Sequence, residues 1–169
     1  NRKNSRMDIE TYVQRHYLEQ ILEAANQRFQ DMSAGQFELR MCDIDKAGTG
    51  KNRGLDLMVY SAVTGKVREV RTLSGGESFM AALSLALGMA DQIQESSAAI
   101  NLDMMFIDEG FGSLDEHSRD QAVKVLQNMA EGEKLIGIIS HVTELKQEIE
   151  DQLIVTKDDQ GSHTRWQIS

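Results

Sequence analysis

Two short apolar runs, each ending in residues able to do chemistry, most constrain the fold. Leu102 to Ile107 runs into Asp108-Glu109, and Leu135 to Ile139 runs into Ser140-His141. Short apolar runs of this kind fit strands buried on both faces. Between them, Asp115 to Ala130 is amphipathic through Ala122, Val123, Val125, Leu126 and Met129, which predicts a helix. Strand, helix, strand and then a short helix over Val142 to Ile149 give a βαβα order. That order implies an α/β fold with a parallel sheet flanked by helices. Ligands of such sheets bind at the carboxyl ends of the strands, where the two acids and the histidine fall.

Asp108 is placed to hold Mg²⁺ through water, since Mg²⁺ takes one or two carboxylates plus phosphates. Glu109 is placed to orient or deprotonate a water. The plainer alternative is an Asp-Glu pair that only caps the next turn. His141 can donate a ring N–H to a phosphate oxygen, or it can be a surface histidine capping the following helix. Asp115 reads as the N-cap of its helix and as a contact in a dimer.

A third constraint lies upstream. Ser74-Gly75-Gly76-Glu77 opens a long apolar run with small residues at Ala81, Ala82, Ala86, Gly88 and Ala90. A serine and two glycines at a helix start present free N–H groups and the positive end of the helix dipole, an anion site suited to phosphate. An ordinary core helix with Ser74 as its cap is the competing reading.

The preceding chain completes the plan. Met7 to Met32 reads as one helix of about 39 Å at 1.5 Å per residue, stopped by Ser33-Ala34-Gly35. Phe37 to Met41, Leu55 to Tyr60 and Lys66 to Val70 read as a small antiparallel sheet. Leu153 to Val155 and Thr164 to Ile168 form a terminal pair. Asp43 to Gly54 is a polar loop. Within it Ala47-Gly48-Thr49-Gly50-Lys51-Asn52 imitates the end of a P-loop, but the pattern needs Gly at 45 and Ser or Thr at 52, where Asp45 and Asn52 stand. Lys46, Lys51, Arg53, Lys66 and Arg68 either form a basic stripe or are solvated surface.

Composition narrows the classes. A length of 169 residues with 40% hydrophobic content suits one globular domain, or a large part of one. A formal charge of -9, from 27 acids against 18 bases, argues against broad non-specific nucleic-acid affinity. The lone Cys42 leaves no internal disulfide and fits a reducing, cytoplasmic setting. No run of eighteen apolar residues is present. The first residue is Asn1 rather than Met, the expectation for a piece of a longer chain.

In order and spacing, Leu73-Ser74-Gly75-Gly76-Glu77, Phe106-Ile107-Asp108-Glu109, Ser113-Leu114-Asp115 and Ser140-His141 resemble the C-terminal half of an ABC-type ATPase head. In that family these are the signature motif, Walker B, D-loop and H-loop. The wording Phe106 to Asp115, with Ile139-Ser140-His141-Val142-Thr143-Glu144-Leu145, is similar to the SbcC family of ATPase subunits of bacterial DNA-repair nucleases, within the SMC-like proteins. Transporter ATPases usually continue the signature with Gln- and Arg-rich residues, where this chain has Glu77-Ser78-Phe79-Met80.

The resemblance implies a division at residue 33. Residues 1–33 would end a coiled-coil arm, and residues 34–169 would form the C-terminal lobe of the head. The Walker A lysine and Q-loop of the family belong to an N-terminal half and are not in this sequence. The implied mechanism is an ATP sandwich in a homodimer of heads. Ser74, Gly75 and Gly76 would bind the γ-phosphate in trans, Glu109 would position the water, Asp108 the Mg²⁺, and His141 would contact the γ-phosphate. ATP state would control an SbcD-like nuclease subunit, which carries the nuclease metals, at double-stranded DNA ends and hairpins. The alternative is an SMC-like tether in which ATP gates DNA entrapment without nuclease activity. The chain alone is expected to be inactive.

Overall fold

The computed structural model describes residues 9–43, 55–96, 102–131 and 134–168. Helix α1 (Ile9–Met32) leads into strands β1 (Phe37–Met41), β2 (Leu57–Ser61) and β3 (Lys66–Glu69). A single 3₁₀ turn, Val70–Thr72, precedes helix α2 (Gly75–Ser96). Then follow β4 (Met104–Asp108), α3 (Glu116–Ala130), β5 (Leu135–Ile139), the one-turn α4 (Leu145–Glu148), β6 (Gln152–Asp158) and β7 (Gly161–Gln167). Most of the polar loop, with Lys46, Lys51 and Arg53, lies outside the described residues, as do Met7 and Asp8.

Helix α1 stops where expected. Ala34 and Gly35 both take positive φ, 51° and 74°, and the Gly35 N–H closes onto Gln30 O at 2.7 Å, a left-handed C-cap. β1, β2 and β3 form an antiparallel sheet in the order β1-β2-β3, with Leu39 opposite Val59 and Val59 opposite Arg68. Asn26 docks α1 on this sheet. Its side-chain amide donates to Leu39 O at 2.9 Å and accepts from Leu39 N–H at 2.7 Å. These bonds satisfy the N–H and the C=O of one residue of an edge strand.

β4 and β5 pair in parallel, Asp108 beside Ile139, with α3 as the crossover. β6 and β7 form a separate antiparallel hairpin, longer than the sequence pattern suggested. The expectation that β4 and β5 are buried on both faces does not hold within this chain. Ile107 is buried, but Met104, Phe106, Leu135 and Ile139 are each more than half exposed. The physical reason is that only one face of the two-stranded sheet is packed by this chain's own helices. On the open face Phe106 lies over Gly137, where a Cβ would come within 2.5 Å of its ring.

The core joins α1, α2 and the loop after β4. Leu22, Ala25, Phe29 and Met32 of α1 meet Met80, Ala81, Leu83 and Leu87 of α2, with Phe111 and Leu114 beneath. A fully buried Phe or Leu contributes roughly 1.5–3 kcal/mol. The closest approach is at Gly88, where a Cβ would sit 2.7 Å from Ile21 O and 2.9 Å from Ala25 N. The burial is confined to the second half of α1. Ile9, Tyr12, Val13 and Tyr17 are exposed.

Candidate functional site

Helix α2 opens on a reciprocal cap. Ser74 is the N-cap, and its Oγ accepts the Glu77 N–H at 3.3 Å, while the Glu77 carboxylate accepts the Ser74 N–H at 2.7 Å. This is a capping box, so the capping reading of Ser74 is correct. It also bears on anion binding. With a lone pair of Oγ turned to the helix, the hydroxyl proton is left to donate outward. Gly75 and Gly76 are the first two helical residues, whose N–H groups have no intrahelical acceptor. At Gly76 a Cβ would fall 2.7 Å from Ser113 O, so this turn lies directly on the loop after β4.

Burial pushes the Glu77 carboxyl up. The Ser74 N–H and then the Arg68 guanidinium outweigh burial and hold it below its ordinary range. Arg68 reaches Glu77 Oε2 at 3.2 Å and Thr72 O at 2.6 Å. Arg68, one of the five bases left open between a stripe and solvated surface, is thus engaged within the chain. In the sheet Arg68 pairs with buried Val59, whereas Val67 is exposed.

At the end of β4, Asp108 and Glu109 are both exposed. Glu109 has φ 61° and Gly110 φ 101°. A left-handed non-glycine residue costs on the order of 1–2 kcal/mol and is held only where its surroundings fix it. Here the Glu109 N–H donates to Ile139 O at 2.8 Å, and the Phe79 ring occupies the space where a Gly110 Cβ would stand. Phe79 also meets Phe111 edge to face at 5.0 Å. The turn therefore places the Glu109 carboxylate 2.9 Å from His141 Nδ1. Nδ1 is thus the ring nitrogen engaged with Glu109, and Nε2 is the one left to meet another group.

Asp115 caps α3. Its carboxylate accepts the Ser118 N–H and the Ser118 hydroxyl, both at 2.9 Å. The backbone bond first, and the hydroxyl next, hold its pKa below the usual carboxylate range.

The site residues thus fall into two clusters. Ser74, Gly76 and Asp115 line one cavity of about 220 Å³, with Met32, Ser33 and His117 on its walls. Asp108, Glu109 and His141 sit at the carboxyl edge of the parallel pair. Phe79, Gly110, Phe111 and Ser113 join the two. Among the described residues, no group of three or more His, Cys, Asp or Glu is placed to hold a metal ion. The single carboxylate of Asp108 fits a Mg²⁺ that arrives with phosphate oxygens and waters. No described helix is long and apolar enough to cross a membrane.

Sequence reasoning did not find the Arg68–Glu77 contact, the Phe79–Gly110 contact or the pairing of Glu109 with His141. The S-x-x-E spacing of Ser74 and Glu77 was an available signal for the capping box, not for its partner Arg68.

A family model described as SbcC/RAD50-like, Walker B motif, matches residues 55–128. The chain is 51% identical over 147 residues, 87% of its length, to the SbcC subunit of nuclease SbcCD from Treponema pallidum, and it covers 14% of that protein. It is 47% identical over 161 residues, 95% of its length, to the protein of the same description from Vibrio cholerae, of which it covers 16%. The chain therefore spans about a seventh of these relatives' length. A solved structure described as "Structural biochemistry of ATP-driven dimerization and DNA stimulated activation of SMC ATPases" superposes with a TM-score of 0.70 at 15% identity, covering 92% of this chain and 88% of that one. At that identity the likeness concerns the fold.

Proposed function

Because this chain belongs to the SbcC/RAD50-like family, we propose that it is the C-terminal lobe of an ABC-type ATPase head, with residues 1–33 ending a coiled-coil arm. The observation that carries this reading is the division of the site residues into two clusters joined by packed side chains. In a homodimer of heads, the edge cluster serves the ATP held by its own head. The Ser74–Gly76 turn serves the ATP of the partner head. The exposed first half of α1 and the open apolar face of β4 and β5 support a lobe that is continued by other parts of a longer protein.

In the reaction, the Glu109 carboxylate orients the attacking water and takes its proton as the oxygen bonds to the γ-phosphorus. The bond to the bridging oxygen breaks, and ADP and phosphate leave. The Ser74 hydroxyl and the Gly75 and Gly76 N–H groups stabilise the γ-phosphate charge at the positive end of α2. His141 meets Glu109 through Nδ1, and its Nε2 is the ring nitrogen placed to contact a phosphate oxygen. Asp108 would hold Mg²⁺, which would supply charge to offset the phosphates. Asp115 caps α3 and contacts the partner head.

The ATP cycle would control an SbcD-like nuclease subunit acting on double-stranded DNA ends and hairpins, in the cytoplasm. The names of the relatives favour this over an SMC-like tether. Nuclease activity that appears only with a co-purified metallophosphoesterase would decide between them. The chain by itself is proposed to be inactive, since its sequence holds no G-x-x-x-x-G-K-[ST] pattern. The direct test is Glu109→Gln in the assembled head. Turnover should fall about 10²-fold or more while ATP still binds and the head dimer persists. Turnover at the wild-type rate would return Glu109 to a capping role.

A further inference from the structure

The phosphate site just described contains a charge that works against it. Glu77 stands in the first turn of α2, and its carboxylate is bonded to the N–H of Ser74, the residue at the centre of the anion-binding turn. An uncompensated carboxylate there would repel a phosphate across a few ångströms of partly excluded solvent.

Arg68 meets this carboxylate from β3. Its Nη2 donates to Glu77 Oε2 at 3.2 Å, and its Nη1 donates to Thr72 O at 2.6 Å and to Thr72 Oγ1 at 3.2 Å. The Thr72 hydroxyl in turn donates to Glu69 O at 2.6 Å. The guanidinium therefore spans the chain immediately before Ser74 and the acid that caps it, and both side chains are about two-thirds or more removed from solvent. A planar fork with several fixed donors suits this double contact, and an ammonium does not reproduce it. Arg68 is also held in place by its strand register, opposite buried Val59.

We propose that Arg68 is a positioning residue for the γ-phosphate subsite: through Glu77 and Thr72 it fixes the Ser74–Gly76 turn and cancels the Glu77 charge, so that the turn accepts the terminal phosphate of a nucleoside triphosphate. The inference rests on the reading of that turn as a trans phosphate site. It gives Glu77 two opposed effects. The carboxylate orders the turn, and its charge would spoil the turn without Arg68. Replacing Arg68 should therefore do more harm than replacing both partners together.

The experiment uses the full-length protein with its nuclease partner and compares wild type with Arg68→Gln, Arg68→Lys, Glu77→Gln and the double variant Arg68→Gln/Glu77→Gln. ATP hydrolysis and ATP-driven head dimerisation are followed against ATP concentration. Arg68→Gln should raise KM, and the ATP needed for half-maximal dimerisation, about tenfold or more, as for loss of a donor to a charged group, with a smaller fall in kcat. Arg68→Lys should recover part of this, because it keeps the charge and loses the fork. The double variant should recover KM towards wild type, because the stranded carboxylate is gone. A residue needed only for folding would lower the melting temperature without that recovery. A wild-type KM in Arg68→Gln, or a double variant worse than Arg68→Gln, would overturn the proposal. If wild type itself shows no ATP-driven dimer that Ser74→Arg abolishes, the underlying reading of the turn fails instead.

Discussion

Gly88→Ala sets two effects of opposite sign against each other. In the interior of α2 the change should help, since alanine is about 0.8–1.0 kcal/mol better than glycine in a helix. Yet the new Cβ would lie 2.7 Å from Ile21 O, 2.9 Å from Ala25 N and 3.1 Å from Ala25 Cβ. Two of these are backbone atoms of α1, which no rotamer change can move. Ordinary contact begins near 3.4 Å, so α1 must back away by about 0.7 Å. A gap of that size forfeits a quarter to a half of each dispersion contact it opens. Leu22, Ala25, Leu83 and Leu87, all buried between these helices, are the residues affected. Overpacking of this kind costs about 1–3 kcal/mol, so after the helix-propensity gain the net effect should be a loss of up to about 2 kcal/mol. With a urea m-value of about 2 kcal/mol/M, the unfolding midpoint should fall by up to about 1 M. Urea titration of the chain followed by far-UV circular dichroism measures this. A midpoint that rises, as helix propensity alone predicts, would refute the argument from close packing.

Ser74→Arg should leave ATP binding to one head nearly intact and abolish ATP-driven dimerisation, read by size-exclusion chromatography with nucleotide. A dimer that survives would remove Ser74 from the interface. Gly110→Ala combines a left-handed φ with a Cβ placed on the Phe79 ring. It should destabilise by about 2–4 kcal/mol in urea titration and lower turnover further by displacing Glu109, and wild-type turnover would show that the turn tolerates a Cβ. The depressed pKa of Asp115 means its stabilisation is complete above the ordinary aspartate range and is lost as pH falls through the lower folded-state value. Asp115→Asn should therefore show a flatter decline in midpoint between about pH 5 and about pH 2, and an unchanged acid limb would exclude that contribution.

The element order was readable because it rests on local periodicity. The runs at Met104–Ile107 and Leu135–Ile139 carry their strand character in adjacent residues, and Ala34-Gly35 carries the stop of α1. The burial of β4 and β5 was not readable. Phe106 and Ile139 are apolar whether this chain covers them or not, and apolar sequence cannot say which element supplies the cover. The pairing of Glu109 with His141 depends on the register of Asp108 with Ile139 and on a left-handed turn at Glu109. Both arise from contacts across more than thirty residues of sequence. The contacts of Arg68 were not readable for a related reason. Alternation in a four-residue strand has two phases, and it is the register with Val59 that selects the one carrying the guanidinium to Thr72 and Glu77. Capping by Ser74 and Asp115 was legible as one of two readings, since residue type at a helix start is local and a cap is made within one turn.

The half-docked state of α1 has a mechanical consequence. From Ile9 to Ile21 the helix runs about 18 Å at 1.5 Å per residue, and from Ile21 to Met32 it runs about 16 Å. Its tightest contact, the Gly88 backbone, lies between these lengths, and Met32 ends the helix on the wall of the cavity that Ser74 shares. The outer half is therefore an arm rooted in a docked half, and a bending force on it is borne by the packed residues from Leu22 to Met32, the last of which walls the cavity that Ser74 lines.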